Sequence, residues 1–341
     1  MPKEFGSRFG VYPQISVVLG VFVSYVLAMI ITNVFSFQTL PTNVPPQDTP
    51  IPYYQGEVFW RVMLGVAALP SLIQLIVIFT GYIPESPYTL IVKNKKEEAK
   101  EVIGLFYEEE YVNGILEEKE KEIYEDSNNN IDDKVKWTCK GYFIGFMMAI
   151  FQAMTGITSY VVFTGHIISV SLFYPVFGLY APIIITIAQL VGTFISVPIL
   201  QFMEWKTITL IGGYTIAAFN AIIGALFYLF DENDFQDFAL SLILTCIIGF
   251  MFTFGVTVGS SAWPYASYMM PSGAIMGGQI FNWLLSGASI IAFSVDVFET
   301  GSPYIMIWIY CGVTFFISLL CSCLLINIKG LNVFQVQEKL I

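Results

Sequence analysis

Long apolar segments alternate with shorter polar connections along this chain, and the positive charges sit in every second connection. Every one of its 15 lysines and arginines except Arg61 precedes the first segment, lies in 93–140, occupies position 206 or follows the last segment. Connections that keep Lys and Arg mark the cytoplasmic face, because carrying these charges across a bilayer is costly. The pattern predicts a polytopic membrane protein with both termini in the cytoplasm. The connections without Lys or Arg are 36–57, 167–175, 231–237 and 297–303.

Eight segments are long and apolar enough to span a membrane, since a spanning helix needs about 20 mainly apolar residues. An even number of spans agrees with both termini lying on one side. The predicted fold class is therefore all-α and integral to the membrane. The predicted spans cover residues 11–34, 58–82, 141–166, 174–201, 207–230, 238–268, 273–295 and 304–326.

The composition argues against several other classes of protein. Apolar residues make up 56% of the chain and charged residues 12%, whereas a soluble domain has about 25% charged residues. The net charge of -11 comes mostly from acidic runs that alternate with lysines, as on a solvated face. No basic stripe suits nucleic acid. No phosphate-binding loop, metal-ligand cluster or nucleophile with a base is present, so we expect no cofactor, no metal and no enzymatic activity.

The polar stretch 84–138 differs from the rest of the chain. Apolar residues near helical spacing in Glu97–Tyr107 and Tyr111–Tyr124 predict short amphipathic helices. So few large apolar side chains in about 50 residues cannot bury a core of their own. We therefore expect helices on the cytoplasmic face rather than a soluble domain.

Several motifs resemble those of the sugar porter family within the major facilitator superfamily. Pro84-Glu85-Ser86-Pro87 resembles the PESPR signature that closes the family's first half, with Tyr88 in place of the arginine. Trp60-Arg61 matches the WR that opens the family's sixth helix. The run Gln14–Gly20 is similar to the QL-x-I-x-x-G of its fifth helix.

The second half of the chain continues the resemblance in family order. The run Gln152–Thr158 lies where the seventh helix carries QQ-x-SGIN. Trp263 and Pro271 fall on the tryptophan and proline of W-x-x-x-x-E-x-x-P in the tenth helix. Asn282-Trp283 matches the NW of the eleventh helix, and Lys329-Gly330 the end of PETKG. The ordered set covers nearly the whole chain.

The resemblance implies a major facilitator fold with about eight transmembrane helices. These are the last two helices of the N-terminal bundle and the complete six-helix C-terminal bundle. The implied domains are 1–83 as a partial N-terminal bundle, 84–138 as an amphipathic helical linker, 139–328 as the C-terminal bundle and 329–341 as a cytoplasmic tail.

Sugars are uncharged polyols, so a sugar site needs amide and indole groups that bind without burying charge. Amides inside spans are expensive when unpaired, and Trp263 could stack on a sugar face. A buried amide in a membrane helix also serves as a bond between helices, and that alternative stays open for each one. The resemblance and this chemistry predict the substrate-binding residues Gln14, Gln152, Thr158, Gln189, Trp263 and Asn282.

Departures from the family's motifs limit what the resemblance implies. Ala153 and Thr158 replace two amides that the family uses on glucose, so the preferred sugar is not carried over. Tyr268 replaces the glutamate of the tenth helix, which predicts a weak or absent cytoplasmic latch. The family's GPGP hinge reads Gly259–Ala262, with one glycine and no proline. His166, at the outer end of a span, is an interfacial residue or a proton relay.

Two functions follow from this reading. The first is facilitated diffusion of hexose-like sugars by alternating access, with both termini cytoplasmic in the plasma membrane. The alternative is a non-transporting family remnant or interaction subunit that lacks the family's helices one to four. The partners are then a small neutral sugar, the lipid bilayer and either the missing helices or an oligomer partner. We expect about 120–150 codons upstream to encode four further apolar segments.

Tags on both termini and within 94–136 should be cytoplasmic, and a tag near Pro45 should be outside, because of the charge asymmetry. Protease treatment of right-side-out vesicles checks this. Protection of the terminal tags is expected, and their digestion would contradict the orientation.

Overall fold

A computed structural model describes residues 10–34, 53–80, 84–127, 137–168, 175–230, 236–300, 303–331 and 333–341. Within these ranges the protein is helical, without strands. The tag position near Pro45 lies outside the described residues. The helices are α1 (Tyr12–Val34), α2 (Tyr53–Phe79), α3 (Pro87–Val92), α4 (Lys96–Gly104), α5 (Glu109–Ser127), α6 (Cys139–Met154), α7 (Ile157–His166), α8 (Pro175–Phe202), α9 (Trp205–Phe230), α10 (Gln236–Val256), α11 (Val258–Met269), α12 (Ser272–Thr300), α13 (Tyr304–Leu324) and α14 (Val333–Leu340).

Seven stretches of the described chain are long and apolar enough to cross a membrane. They coincide with seven of the eight predicted spans, which confirms an all-α integral membrane fold. Residues 58–79 of the remaining predicted span, 58–82, lie in the 27-residue helix α2. Within α2, Ala68–Phe79 forms a shorter apolar helix among the residues whose side chains are described.

Two of the seven spans are interrupted rather than continuous. The span predicted at 141–166 consists of α6 and α7, separated by Thr155 and Gly156. The span predicted at 238–268 consists of α10 and α11, separated by Thr257. Gly259–Ala262, which occupies the family's hinge position, is part of α11, so the interruption comes before that segment.

The chain divides into two units, of which the first contains residues 1–30 and 137–341. In this unit α8 packs along α10, α9 packs along α13 and α10, and α6 lies against α11 and α12. Large side chains such as Tyr160, Phe250 and Tyr310 are fully buried at its centre. Val11, just before α1, and Ile15 within α1 belong to the same core. The Tyr25 hydroxyl of α1 donates to the Val161 carbonyl.

Two glycines allow α8 and α10 to approach closely. A Cβ at Gly192 on α8 would overlap the backbone carbonyl of Phe252 on α10. Reciprocally, a Cβ at Gly255 on α10 would overlap the carbonyl oxygen of Gln189 on α8. Small residues of this kind let membrane helices pack closely and gain van der Waals contact, since the burial of apolar surface does not drive helix association in lipid.

One amide, that of Gln337 in α14, joins three helices at one end of this unit. Its Nε2 donates to the carbonyl oxygens of Tyr268 (3.0 Å) and Met269 (3.2 Å), at the end of α11. Its Oε1 accepts from the backbone N and the Oγ1 of Thr138, both at 3.2 Å, just before α6. Nearby along the chain, Lys329 Nζ donates to the carbonyl of Gln201 at 2.7 Å, near the end of α8. A cation there also complements the helix dipole.

The second unit contains residues 31–136, including α3 to α5. Ser86 caps α3 by accepting a hydrogen bond from the backbone N of Thr89 (3.2 Å), and Pro87 fills its first position. Lys93 pairs with Glu85 at 2.7 Å, and its hydrogen bond lowers the pKa of that carboxyl. The motif 84–87 therefore starts a capped helix.

Helices α3 to α5 share a small apolar cluster of Leu90, Ile91, Ala99 and Val102, with Leu116 packed against it. Leu105 and Phe106 lie within the amphipathic helix predicted over Glu97–Tyr107, but they are exposed because α4 ends at Gly104. The amphipathic helices predicted for this stretch are therefore present, although the first ends at Gly104 and not at Tyr107.

The Gly192→Ala variant should lower the thermal stability of the detergent-purified protein, because overpacking a close contact costs about 1–3 kcal/mol. Gly287→Ala on α12 is the matched control, since a Cβ there meets no atom within 4 Å. A fluorescence melting curve compares the two. Equal melting temperatures for both variants would contradict the close approach of α8 and α10.

Candidate functional site

The first interruption, between α6 and α7, exposes backbone carbonyls that other helices satisfy. The Met154 carbonyl accepts from Thr314 Oγ1 on α13 (3.3 Å), and the Thr155 carbonyl accepts from Asn220 Nδ2 on α9 (3.1 Å). Gly156 has a φ of 86°, in the left-handed region that favours glycine. Because lipid offers no donors, the polar partners inside the bundle make this break tolerable.

A hydroxyl cluster lies beside the first interruption. The Tyr310 hydroxyl on α13 lies 2.7 Å from Ser159 Oγ on α7 and 2.6 Å from Ser289 Oγ on α12. The Tyr310 ring also approaches Gly156, where its Cδ2 would lie 2.5 Å from an added Cβ. The cluster therefore joins three helices and leaves room at position 156 for glycine alone.

The second interruption, at Thr257, is also surrounded by short polar side chains. Thr257 Oγ1 donates to the Thr253 carbonyl and Ser260 Oγ to the Gly255 carbonyl, both at 2.6 Å. Ser261 Oγ, one turn into α11, lies 2.8 Å from Thr209 Oγ1 on α9. The chain thus supplies hydroxyl groups to the backbone on both sides of the break.

The six predicted substrate-binding residues lie on six helices of the first unit: Gln14 on α1, Gln152 on α6, Thr158 on α7, Gln189 on α8, Trp263 on α11 and Asn282 on α12. Gln152 and Thr158 flank the first interruption. The backbone of Gln189 touches Gly255, two residues before the second interruption. No hydrogen bond joins any two of the six in the described part of the structure.

The structure separates these amides into two kinds. Asn282 is 8% exposed, and its Nδ2 donates to the carbonyl of Ala149 at 2.7 Å, one turn before Gln152. Gln152 and Gln189 are 9% and 5% exposed. Within the described residues, the side-chain amides of Gln152 and Gln189 make no hydrogen bond, yet neither amide is fully enclosed by protein. Unpartnered amides inside a membrane bundle are costly, so these two are available for a polar ligand.

The other predicted residues are less buried. Gln14, Thr158 and Trp263 are each half-buried. The Trp263 indole N–H has no hydrogen-bond partner among the described residues, so it can donate to a ligand. Trp283, beside Asn282, is 66% exposed.

The surroundings of these amides are nearly free of charge. Asp296 is the one buried charged side chain among the described residues. Its carboxylate accepts from the backbone N of Met306 (2.8 Å) and thereby caps the start of α13. The centroid of the His166 ring lies 5.6 Å from that of the Phe298 ring, with the two planes tilted by 55°. No group of three metal-ligating side chains occurs in the described ranges. An uncharged polar lining suits a neutral ligand.

Sequence reasoning missed two polar residues that the structure places at the first interruption. Asn220 and Tyr310 are both fully buried within predicted spans. An amide or a tyrosine inside a span was a usable signal, since such groups need partners in lipid. The sequence did not show that these two, rather than Gln152, bind neighbouring helices.

The sequence model of the family described as Sugar (and other) transporter matches residues 2–340. The chain is 24% identical over 325 residues to hexose transporter 1 of Plasmodium knowlesi, covering 92% of this chain and 61% of that protein. It is 24% identical over 301 residues to sugar transporter ERD6-like 1 of Arabidopsis thaliana, covering 84% and 63%. The arabinose-proton symporter of Bacillus subtilis is 25% identical over 214 residues, covering 62% and 44%.

The fold is similar to solved structures of a major facilitator protein. The proton:xylose symporter XylE bound to 6-bromo-6-deoxy-D-glucose has a TM-score of 0.75 and 16% identity, covering all of this chain and 68% of that one. The inward-open form of the xylose transporter XylE from E. coli has a TM-score of 0.62 and 17% identity, covering 95% and 64%. These likenesses confirm the major facilitator fold. The chain spans about 61% of the length of the first of the relatives named above.

Proposed function

We propose a transport function from one premise: the chain belongs to the sugar (and other) transporter family. It is accordingly an integral, multi-pass membrane protein of a family of carriers rather than enzymes. Its role is to move a small neutral sugar of the hexose type through the membrane. The relatives are named as transporters, which does not favour the alternative of a non-transporting interaction subunit.

The observation that carries this proposal is the pair of open amides on Gln152 and Gln189. Both lie in the bundle beside an interrupted helix, and neither has a hydrogen-bond partner among the described residues. A polyol offers the donors and acceptors that these amides lack, without burying a charge. Trp263 supplies an apolar face and one more donor. Gln14 and Thr158 complete the proposed set together with Asn282, whose Nδ2 is bonded to Ala149 but whose side-chain oxygen remains open to a ligand.

We propose that sugar moves by alternating access and facilitated diffusion. Discontinuous helices beside a central site are the elements that reshape such sites during transport. Proton coupling needs a carboxylate or histidine inside the bundle that exchanges protons during transport. Asp296 instead caps the start of α13, and His166 lies in the last turn of α7, at the end of a span. These contacts support uniport.

The charge asymmetry of the connections supports cytoplasmic termini. We propose the plasma membrane as the location, because a carrier there would take up external sugar. The domain division into 1–83, 84–138, 139–328 and 329–341 belongs to the same proposal. In this arrangement the proposed residues form one wall of the site. The other wall comes from helices that correspond to the family's first four, or from an oligomer partner.

Gln152→Ala, Asn282→Ala and Trp263→Ala should each weaken the binding of radiolabelled hexose to the purified protein several-fold. The reason is that one lost buried hydrogen bond costs on the order of 1 kcal/mol. Trp308→Ala on α13 is the matched control, because its indole lies against Gly224 on α9 and none of the six proposed residues is on α9 or α13; it should bind as the wild type does. Unchanged binding in all three site variants, at normal expression, would falsify the assignment.

A further inference from the structure

We propose that Asn220 is a positioning residue that holds the first helix interruption in shape and so aims Gln152 and Thr158 at the sugar. This inference deepens the proposed transport function and rests on it. Asn220 itself lies on α9, outside the set of substrate-binding residues. It is fully buried, so it acts through the backbone and side chains that it binds.

The amide of Asn220 uses both of its ends, one on each side of the interruption. Its Nδ2 donates to the carbonyl of Thr155 (3.1 Å), which precedes Gly156. Its Oδ1 accepts from the Tyr160 hydroxyl (2.9 Å), which follows Gly156. A single side chain from another helix therefore bridges the end of α6 and the beginning of α7.

The geometry of the bridged segment sets the direction in which two of the predicted substrate-binding side chains point. Gln152 lies three residues before Thr155, and Thr158 lies three residues after it. Glycine at 156 has a left-handed backbone, so rotation about this residue would swing α7 relative to α6. The Asn220 bridge opposes that rotation, because rotation would lengthen one of its two hydrogen bonds.

Helix α9 braces the second interruption as well. Thr209 bonds Ser261 across the interface with α11, and the missing side chain of Gly212 leaves room for Thr257. Asn220 and Thr209 lie three turns apart on one helix. Helix α9 thus contacts both interrupted spans. A hydrogen bond that only held two packed helices together would need one contact and would not connect the two sides of a break.

Three variants test the bridge in the full chain, reconstituted in lipid nanodiscs. Asn220→Leu removes both hydrogen bonds at similar volume, and Tyr160→Phe removes one. Tyr265→Phe is the matched control: its buried hydroxyl bonds Ile326 through both the backbone N and O at 2.9 Å, away from the interruption. Amide hydrogen exchange over 154–161 and radiolabelled hexose affinity are measured for each.

The bridge predicts about five- to tenfold faster exchange over 154–161 in Asn220→Leu, with a smaller increase in Tyr160→Phe and none in Tyr265→Phe. Adding Tyr160→Phe to Asn220→Leu should change little, because both remove the same bond. Hexose affinity should fall in the same order while the melting temperature of Tyr265→Phe falls at least as far as that of Tyr160→Phe. A purely structural role would instead make affinity follow melting temperature.

Unchanged exchange over 154–161 in Asn220→Leu overturns the bridge, and so does faster exchange with unchanged hexose affinity. Absence of hexose binding by the wild type defeats the proposed function and, with it, the aiming role of Asn220. The exchange measurement needs no sugar, so it shows separately whether the bridge itself is wrong.

Discussion

Backbone carbonyls exposed by a break in a membrane helix must find donors within the protein, because lipid supplies none. The described part of the first unit has two such breaks, at Thr155–Gly156 and at Thr257. Side chains from α9 and α13 reach the first break, and hydroxyls of the interrupted helices themselves serve the second. The requirement concentrates uncharged polar groups at the centre of an otherwise apolar bundle. A site for a neutral polyol needs the same chemical groups.

The same requirement explains why the buried amides differ from one another. The side-chain N–H of Asn282 donates to a backbone carbonyl of α6, and that of Asn220 donates to the carbonyl of the residue that follows α6. Gln152 and Gln189 remain without partners among the described residues, although both are buried. The amides that are bonded to backbone carbonyls hold the interrupted helices in place. The amides without a partner are available to a ligand. The polar residues within the spans therefore divide into those that support the helices and those that form a candidate binding surface.

The sequence predicts the spans well because the transfer of about 20 apolar residues into lipid is a large, local free energy. It does not predict the interruptions, since hydropathy is insensitive to one residue with positive φ such as Gly156. Position 259 offered a glycine by resemblance to the family, yet the break lies at Thr257, where hydroxyl groups satisfy the backbone. Spacing alone also failed to locate a helix end, because Leu105 and Phe106 fit the helical pattern although α4 ends at Gly104. Whether an amide is braced or open depends on neighbours distant in sequence, and periodicity carries no information on that.

The central claim is that the open amides of Gln152 and Gln189 receive a sugar, and locating the sugar tests it most directly. Crystals of the protein soaked with a brominated hexose would show the bromine by its anomalous scattering. We predict one peak in the bundle between α6 and α8, with the sugar hydroxyls in hydrogen-bond contact with both amides. A sugar bound elsewhere, or amides that stay unpartnered in a saturated crystal, would contradict the account.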